Sequence, residues 1–198
     1  VYQAAELPDY IPQIQCNAFG VPHPAYIVNI QRILHPTKLS WCYRKHGIRH
    51  HYNIPNESQL ILSFCTKDEL LEQIWTRSND WYKGESFWDG VAAYTKHEVV
   101  RGLDASLSVE FSCFADAPRM EHLLNIKRNI ISAYELSRRG VPIILDAIVR
   151  TKLDLKRTLE WGKQQGVCWY LLNFQRTKNV PWMMDLISER LEQVFEAG

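Results

Sequence analysis

The sequence predicts an α/β fold of parallel βα units, curled into a partial or small TIM-like barrel, and three observations carry that expectation. Ser106 to Val149 reads strand, turn, helix, glycine stop, strand, a complete βαβ unit. Strand-then-helix order recurs on either side of it, around 59–78 and 141–165. Polar residues fall near the carboxyl ends of these strands, where ligands collect in such folds.

At 198 residues a single domain is the default, read as a 59–198 βα core carrying an irregular N-terminal segment over 1–58. Pro8, Pro12, Pro22 and Pro24 predict that the first part wraps the surface in extended or turn structure. Ala25 to Leu34 is apolar enough for either a strand or a helix. Gln59 to Cys65 alternates, with Leu60, Leu62 and Phe64 on one face, and Thr66 is expected to cap a helix opening at Lys67 whose apolar side is Leu70, Leu71, Ile74 and Trp75. Trp81, Tyr82, Phe87 and Trp88 suggest an aromatic-rich connection, followed by a short strand from Gly90 to Tyr94.

Ser106 to Phe114 alternates strictly: Ser106, Ser108, Glu110 and Ser112 on one face, and Leu107, Val109, Phe111 and Cys113 on the other. Asp116 and Pro118 would supply a cap and a first-turn residue for a helix to about Arg139, with Met120, Leu123, Ile126, Ile130, Ile131 and Tyr134 as its buried stripe. Gly140 stops it. Val141 to Val149 is the next strand, interrupted by Asp146. A helix from Thr151 to Gln165, a stop at Gly166, a strand from Val167 to Phe174 and a helix opening at Pro181 complete the order.

Bulk properties exclude several functions. A net charge of +1 is no whole-chain polyelectrolyte. Five cysteines, an odd number without a CxxC pair, argue against a disulfide framework or a zinc knuckle and fit a reducing cytoplasm. No apolar run approaches the roughly 20 residues of a membrane span, and the start lacks signal-peptide order. Because the chain opens at Val1, a trimmed product or a fragment is expected. No cofactor is implied, since neither GxGxxG nor GxxxxGK[ST] occurs.

If the apolar strand faces pack on helices, the opposite faces turn inward, and alternation then collects polar groups at one mouth. Glu110 and Asp146 are the candidate catalytic carboxylates, one raised as an acid and one held ionised by Arg150. Ser63, Ser112, Arg150, Asn173 and Gln175 are the candidate substrate-binding residues. The bland alternative is an ion pair between Glu110 and Arg150 that merely satisfies the sheet end. Elsewhere, Lys38 to Tyr52 interleaves cations and rings. Trp41, Tyr43, Arg44, Lys45, Arg49 and His50 suit nucleic acid, DNA or RNA, because cations hold phosphates while rings stack on bases; a solvated loop with tucked aromatics is the alternative. His46, His50 and His51 lack an HExxH or carboxylate pattern, so no metal is expected.

The runs Glu110-Phe-Ser112, Asp116-Ala-Pro118, Asn125-Ile-Lys-Arg128-Asn129 and Gly140-Val-Pro-Ile-Ile144 resemble the core of DUF4417, an uncharacterised bacterial, archaeal and phage family, over roughly 59–146. Glu110 stands where that family usually has Asp, and Leu145 where a proline is common. The resemblance implies a protein carried by mobile elements and phages, and implies no reaction. It draws attention to Asp116, Asn125, Arg128 and Asn129; the last three are expected to hold the N-terminal 60 residues on the helix, or else to face a partner. The functional expectation is a nucleic-acid-directed enzyme acting on a base, such as an N-glycosylase, with a non-catalytic nucleic-acid-binding or replication accessory protein and a small-molecule enzyme as alternatives.

Overall fold

The computed structural model describes residues 11, 13–14, 23–35, 42, 47–78, 86–96, 103–113, 116–147, 151–172, 188 and 191–192, with 77–78 and 94–96 as backbone only. Its strands are β1 (Gln13–Ile14), β2 (Ala25–Asn29), β3 (Gln59–Ser63), β4 (Ala105–Leu107), β5 (Ile143–Asp146) and β6 (Trp169–Leu171). They form one sheet in the order β1-β2-β3-β4-β5-β6, and every neighbouring pair is parallel. Between them lie helices α1 (Ile30–Ile33), α2 (Gly47–Tyr52), α3 (Asp68–Ser78), α4 (Phe87–Lys96), α5 (Arg119–Ser137) and α6 (Lys152–Gln164). Among the described residues the sheet is open, with β1 and β6 at its edges, so no closed barrel is formed.

When each strand lies beside the next in sequence and every crossover has the same hand, the helices gather on one face of the sheet. The two larger buried clusters follow that division. Tyr26, Val28, Leu60, Leu62, Ile143 and Leu145 pack with Leu71 and Ile74 of α3, Trp88 and Val91 of α4, and Ala133 and Leu136 of α5. On the opposite face Ile61, Ala105, Leu107 and Ile144 form a smaller cluster with Ile11, Ile27, Trp169 and Leu171, to which no described helix contributes.

Local signals explain most element ends. The ambiguous stretch 25–34 is a strand and then a helix: Asn29 ends β2, and its side chain accepts from Gln31 N at 2.9 Å as the cap of α1. Gly140 and Gly166 both adopt positive φ after α5 and α6, and the Val141 and Val167 amides close back on Leu136 O and Gly162 O. Thr151 caps α6 reciprocally with Asp154.

Four expectations are corrected. The strand expected from Gly90 to Tyr94 is part of α4. Ser86 and Asp89 form a second capping box, and Phe87, Trp88, Val91 and Ala92 bury one helical side. Helix α3 opens at Asp68, with the Leu70 and Leu71 amides donating to Lys67 O, so Thr66 is not its cap; its side chain instead accepts from Gln31 Nε2. Asp116 does not cap α5, whose N-cap Pro118 has no side-chain hydrogen bond.

The fourth correction concerns the face that α5 buries. Met120 is 75% exposed, and Leu123, Leu124 and Tyr134 are exposed as well, whereas His122, Asn125, Asn129, Ser132, Ala133 and Leu136 are buried. Of the expected apolar stripe, Met120, Leu123 and Tyr134 therefore point away from the sheet, while Ile126, Ile130 and Ile131 are half-buried. What the helix lies against explains the inversion: a length of backbone with unladdered peptide groups, which a polar face can satisfy and an apolar one cannot.

Candidate functional site at the carboxyl ends of the strands

Strand β4 pairs through Leu107 and then leaves the ladder. Leu107 belongs to the helix-free cluster, yet Val109 and Phe111 belong to the helix-side core. Residues two apart on a regular strand share a face, so the alternation changes phase at Ser108. That residue takes over the ladder's work: its amide donates to Ile144 O at 2.9 Å, and its hydroxyl accepts from Asp146 N at 2.8 Å. The uniform alternation expected across 106–113 thus holds from Val109 onward but places Leu107 on the wrong face.

Beyond the break, alternation turns Glu110 and Ser112 away from the helix-side core that takes Val109 and Phe111. Helix α5 holds this extension. Asn129 Oδ1 accepts from Phe111 N at 2.8 Å, and Asn125 Nδ2 donates to Ser112 O at 2.7 Å. The Arg128 guanidinium lies 5.0 Å from the Phe111 ring centroid and 5.5 Å from that of Trp75, and it is ion-paired with Glu72 of α3. Among the described residues, Asn125, Arg128 and Asn129 therefore secure the strand extension and α3. Ser112 Oγ donates to Asp68 Oδ1 at 3.1 Å, tying the extension to the start of α3 as well.

Asp146 ends β5 on the helix-free face, in register with Leu171. It is only 3% exposed, and among the described residues neither carboxylate oxygen has a hydrogen-bond partner. Burial, reinforced by the nearby charge of Glu110, pushes its carboxyl well above the ordinary range. Glu110 is itself 9% exposed. The two candidate carboxylates are therefore brought within electrostatic reach in a largely dry environment. The charge of Glu110 adds to burial in disfavouring ionisation of Asp146, so Asp146 holds its proton more tightly than an ordinary carboxyl does.

Ser63 is buried at the end of β3, and its hydroxyl accepts from Cys65 N at 3.2 Å. Ser63 and Ser112 each have an internal partner, which fits bracing of the site as well as contact with a ligand. Arg150, Asn173 and Gln175 lie outside the described residues. An open cleft of about 570 Å³, lined by Gln31, Cys65, Thr66, Lys67, Asp68 and Glu69, sits past the ends of β2 and β3. Asp68 links its wall to Ser112 and hence to the Glu110 segment. Sequence reasoning missed Asp68 and the cleft residues because they read as an ordinary acidic first turn.

The cationic segment divides. Arg49 is only 3% exposed: its guanidinium donates to Pro55 O at 3.0 Å and to Ser58 O at 2.7 Å, and it is ion-paired with Asp104. A nucleic-acid role for Arg49 is thereby corrected to a structural one, since its donors are engaged inside the protein. His50 is exposed on α2. Trp41, Tyr43, Arg44 and Lys45 lie outside the described residues, as does His46. Among the described residues no three of His, Cys, Asp and Glu gather in a way that could hold a metal ion, and no helix is long and apolar enough to cross a membrane.

No protein-family model matches the chain, and no curated protein matches it, so the likeness to DUF4417 rests on the spacing of the motifs quoted above.

Proposed function

We propose that the protein is an enzyme using Asp146 and Glu110 as an acid and anion pair to cleave an N-glycosidic bond of a nucleoside or of a nucleotide within nucleic acid. One observation carries this: a buried carboxyl group at the carboxyl end of a parallel sheet, without a hydrogen-bond partner among the described residues and with a second carboxylate in electrostatic reach. Leaving such a group unsatisfied costs stability, and a ligand that accepts its proton removes the cost. We further read the open sheet as the larger part of a TIM-like barrel, which would put this end at the fold's usual active face.

The chemistry balances with water alone. Protonated Asp146 gives its proton to a ring nitrogen of the leaving base, and the C1′–N bond breaks with its electron pair going to that nitrogen. Ionised Glu110 faces the positive charge that develops on the sugar. Water then adds at C1′, and its proton returns to Asp146, releasing base and sugar. Each carboxyl thus has one task, set by which of them holds the proton.

The test is release of free base from a panel of nucleosides and of single- and double-stranded oligonucleotides. Asp146→Asn and Glu110→Gln should each slow release by about 10²- to 10⁴-fold, the usual worth of a positioned acid or base. No release from any member of the panel would discard the enzymatic reading. The second reading is a non-catalytic nucleic-acid-binding protein, favoured by the cations and rings of 38–52. It predicts salt-dependent binding without turnover, indifferent to Asp146→Asn.

A further inference from the structure

We propose that Asn125 and Asn129 are positioning residues that aim Glu110 toward Asp146 by gripping the main chain immediately after Glu110. The inference rests on the carboxylate-pair reading above and adds what makes that pair possible. Once β4 leaves the ladder at Leu107, the peptide groups of 109–112 have no neighbouring strand among the described residues to satisfy them. Two buried asparagines replace that strand, one accepting from Phe111 N and the other donating to Ser112 O. Spaced four apart on α5, they present an acceptor and a donor on one face, complementary to successive groups of an extended chain.

On the other side of Glu110, Ser108 is pinned to β5 through Ile144 O and Asp146 N. Glu110 thus sits between fixed points at 108 and at 111–112, and the Phe111 ring is held under Arg128. With both flanks fixed, the backbone at Glu110 has little room to shift. The hydrogen bonds of both asparagines go to main-chain groups, so their effect passes through the backbone. A clamp that served stability alone would have no influence on Asp146. A clamp that positions Glu110 must influence it, because among the described residues Glu110 is the charged group acting on that carboxyl.

The experiment follows the Asp146 carboxyl carbon through a pH titration by NMR on the full chain, with the resonance assigned from its loss in Asp146→Asn. Glu110→Gln should move the Asp146 midpoint down, setting the full effect of that neighbouring charge. Asn129→Ala is expected to move it in the same direction by a large part of that amount, and Asn125→Ala by less. Asp104→Asn, at the opposite end of the sheet, should lower stability and leave the midpoint in place. A midpoint unchanged in Asn129→Ala while Glu110→Gln lowers it would overturn the positioning role and leave the pair intact. An Asp146 midpoint that is ordinary in the unaltered protein, or indifferent to Glu110→Gln, would instead sink the pair itself. Should Asn129→Ala not fold, Asn125→Ala decides alone by the same criterion.

Discussion

Two aspartates at opposite ends of the sheet show how differently this chain treats a negative charge. Asp104, just before β4, accepts from Leu60 N at 2.7 Å and is ion-paired with Arg49, whose remaining donors take the carbonyls of Pro55 and Ser58. Asp146, at the end of β5, is buried, with both oxygens unpartnered among the described residues and a second acid in electrostatic reach. At the amino end of the sheet these polar groups close the structure, whereas at the carboxyl end Asp146 lacks a partner among the described residues. Parallel βα folds keep their chemistry at the carboxyl end for the same reason: the loops there are free of the sheet's structural duties.

Substitution at the two ends should separate these duties. Asp146→Asn carries the largest expected effect, a fall in base release of about 10²- to 10⁴-fold. Its cost to folding at neutral pH should be nil or negative, because the ionisable group it removes is disfavoured in the folded state. Activity and melting temperature measured on the same preparation check both halves. Arg49→Ala should do the reverse, lowering stability by about 2 to 3 kcal/mol in urea unfolding while leaving any surviving turnover per folded molecule unchanged. The partial exposure of Asp104 keeps that figure below the range for a fully buried pair.

Acidity sharpens the contrast, with signs that oppose one another. Because the folded-state pKa of Asp146 is raised, its contribution is fully favourable below the ordinary carboxyl range and is lost as pH rises through the folded value. Asp89, held low by its hydrogen bond to Arg139, and Asp154, held low by its hydrogen bond to Arg119, behave oppositely: their stabilisation is present at neutral pH and is lost as pH falls. Melting curves of the unaltered protein and of Asp146→Asn should therefore converge in acid and part toward neutral pH, with the variant higher. For a chain this size each kcal/mol is worth roughly 2 to 4 °C. Curves that stay parallel would mean that Asp146 titrates alike in the folded and unfolded states.

The smallest effect is expected where hydrophobicity alone would predict a large one. Met120→Ser and Leu124→Ser on the outer face of α5 should each change stability by about 0.5 kcal/mol or less. Leu136→Ala on its inner face should cost about 2 to 4 kcal/mol by opening a cavity in the helix-side core. Denaturant unfolding of the three variants measures the difference directly.

Much of the architecture was legible in the sequence because its signals are local. Gly140 and Gly166 end their helices through positive φ, Thr151 opens α6 through its own hydroxyl, and 59–63 alternates as a strand does. Glu110 and Asp146 stood out as acids interrupting apolar runs near strand ends, and the structure brings them within electrostatic reach. Misplaced elements trace to particular residues. Taking Gly90 for a strand start hid the capping box of Ser86 and Asp89, whose four-residue pattern was present in the sequence.

Other features had no local signal. A stripe of Met, Leu, Ile and Tyr reads as a buried face only on the assumption that the neighbour is apolar, and beside α5 the neighbour is backbone that needs asparagine. Arg49 differs in nothing local from the cations around it, and only the approach of Pro55, Ser58 and Asp104 makes it interior. The glycine stops after α5 and α6 and the Thr151 cap were readable from the chain alone, since each depends on a residue and its near neighbours. Tertiary structure alone decided which face of α5 is buried, where β4 changes phase and which polar groups go without partners, because each is settled by a surface that arrives from elsewhere in the chain.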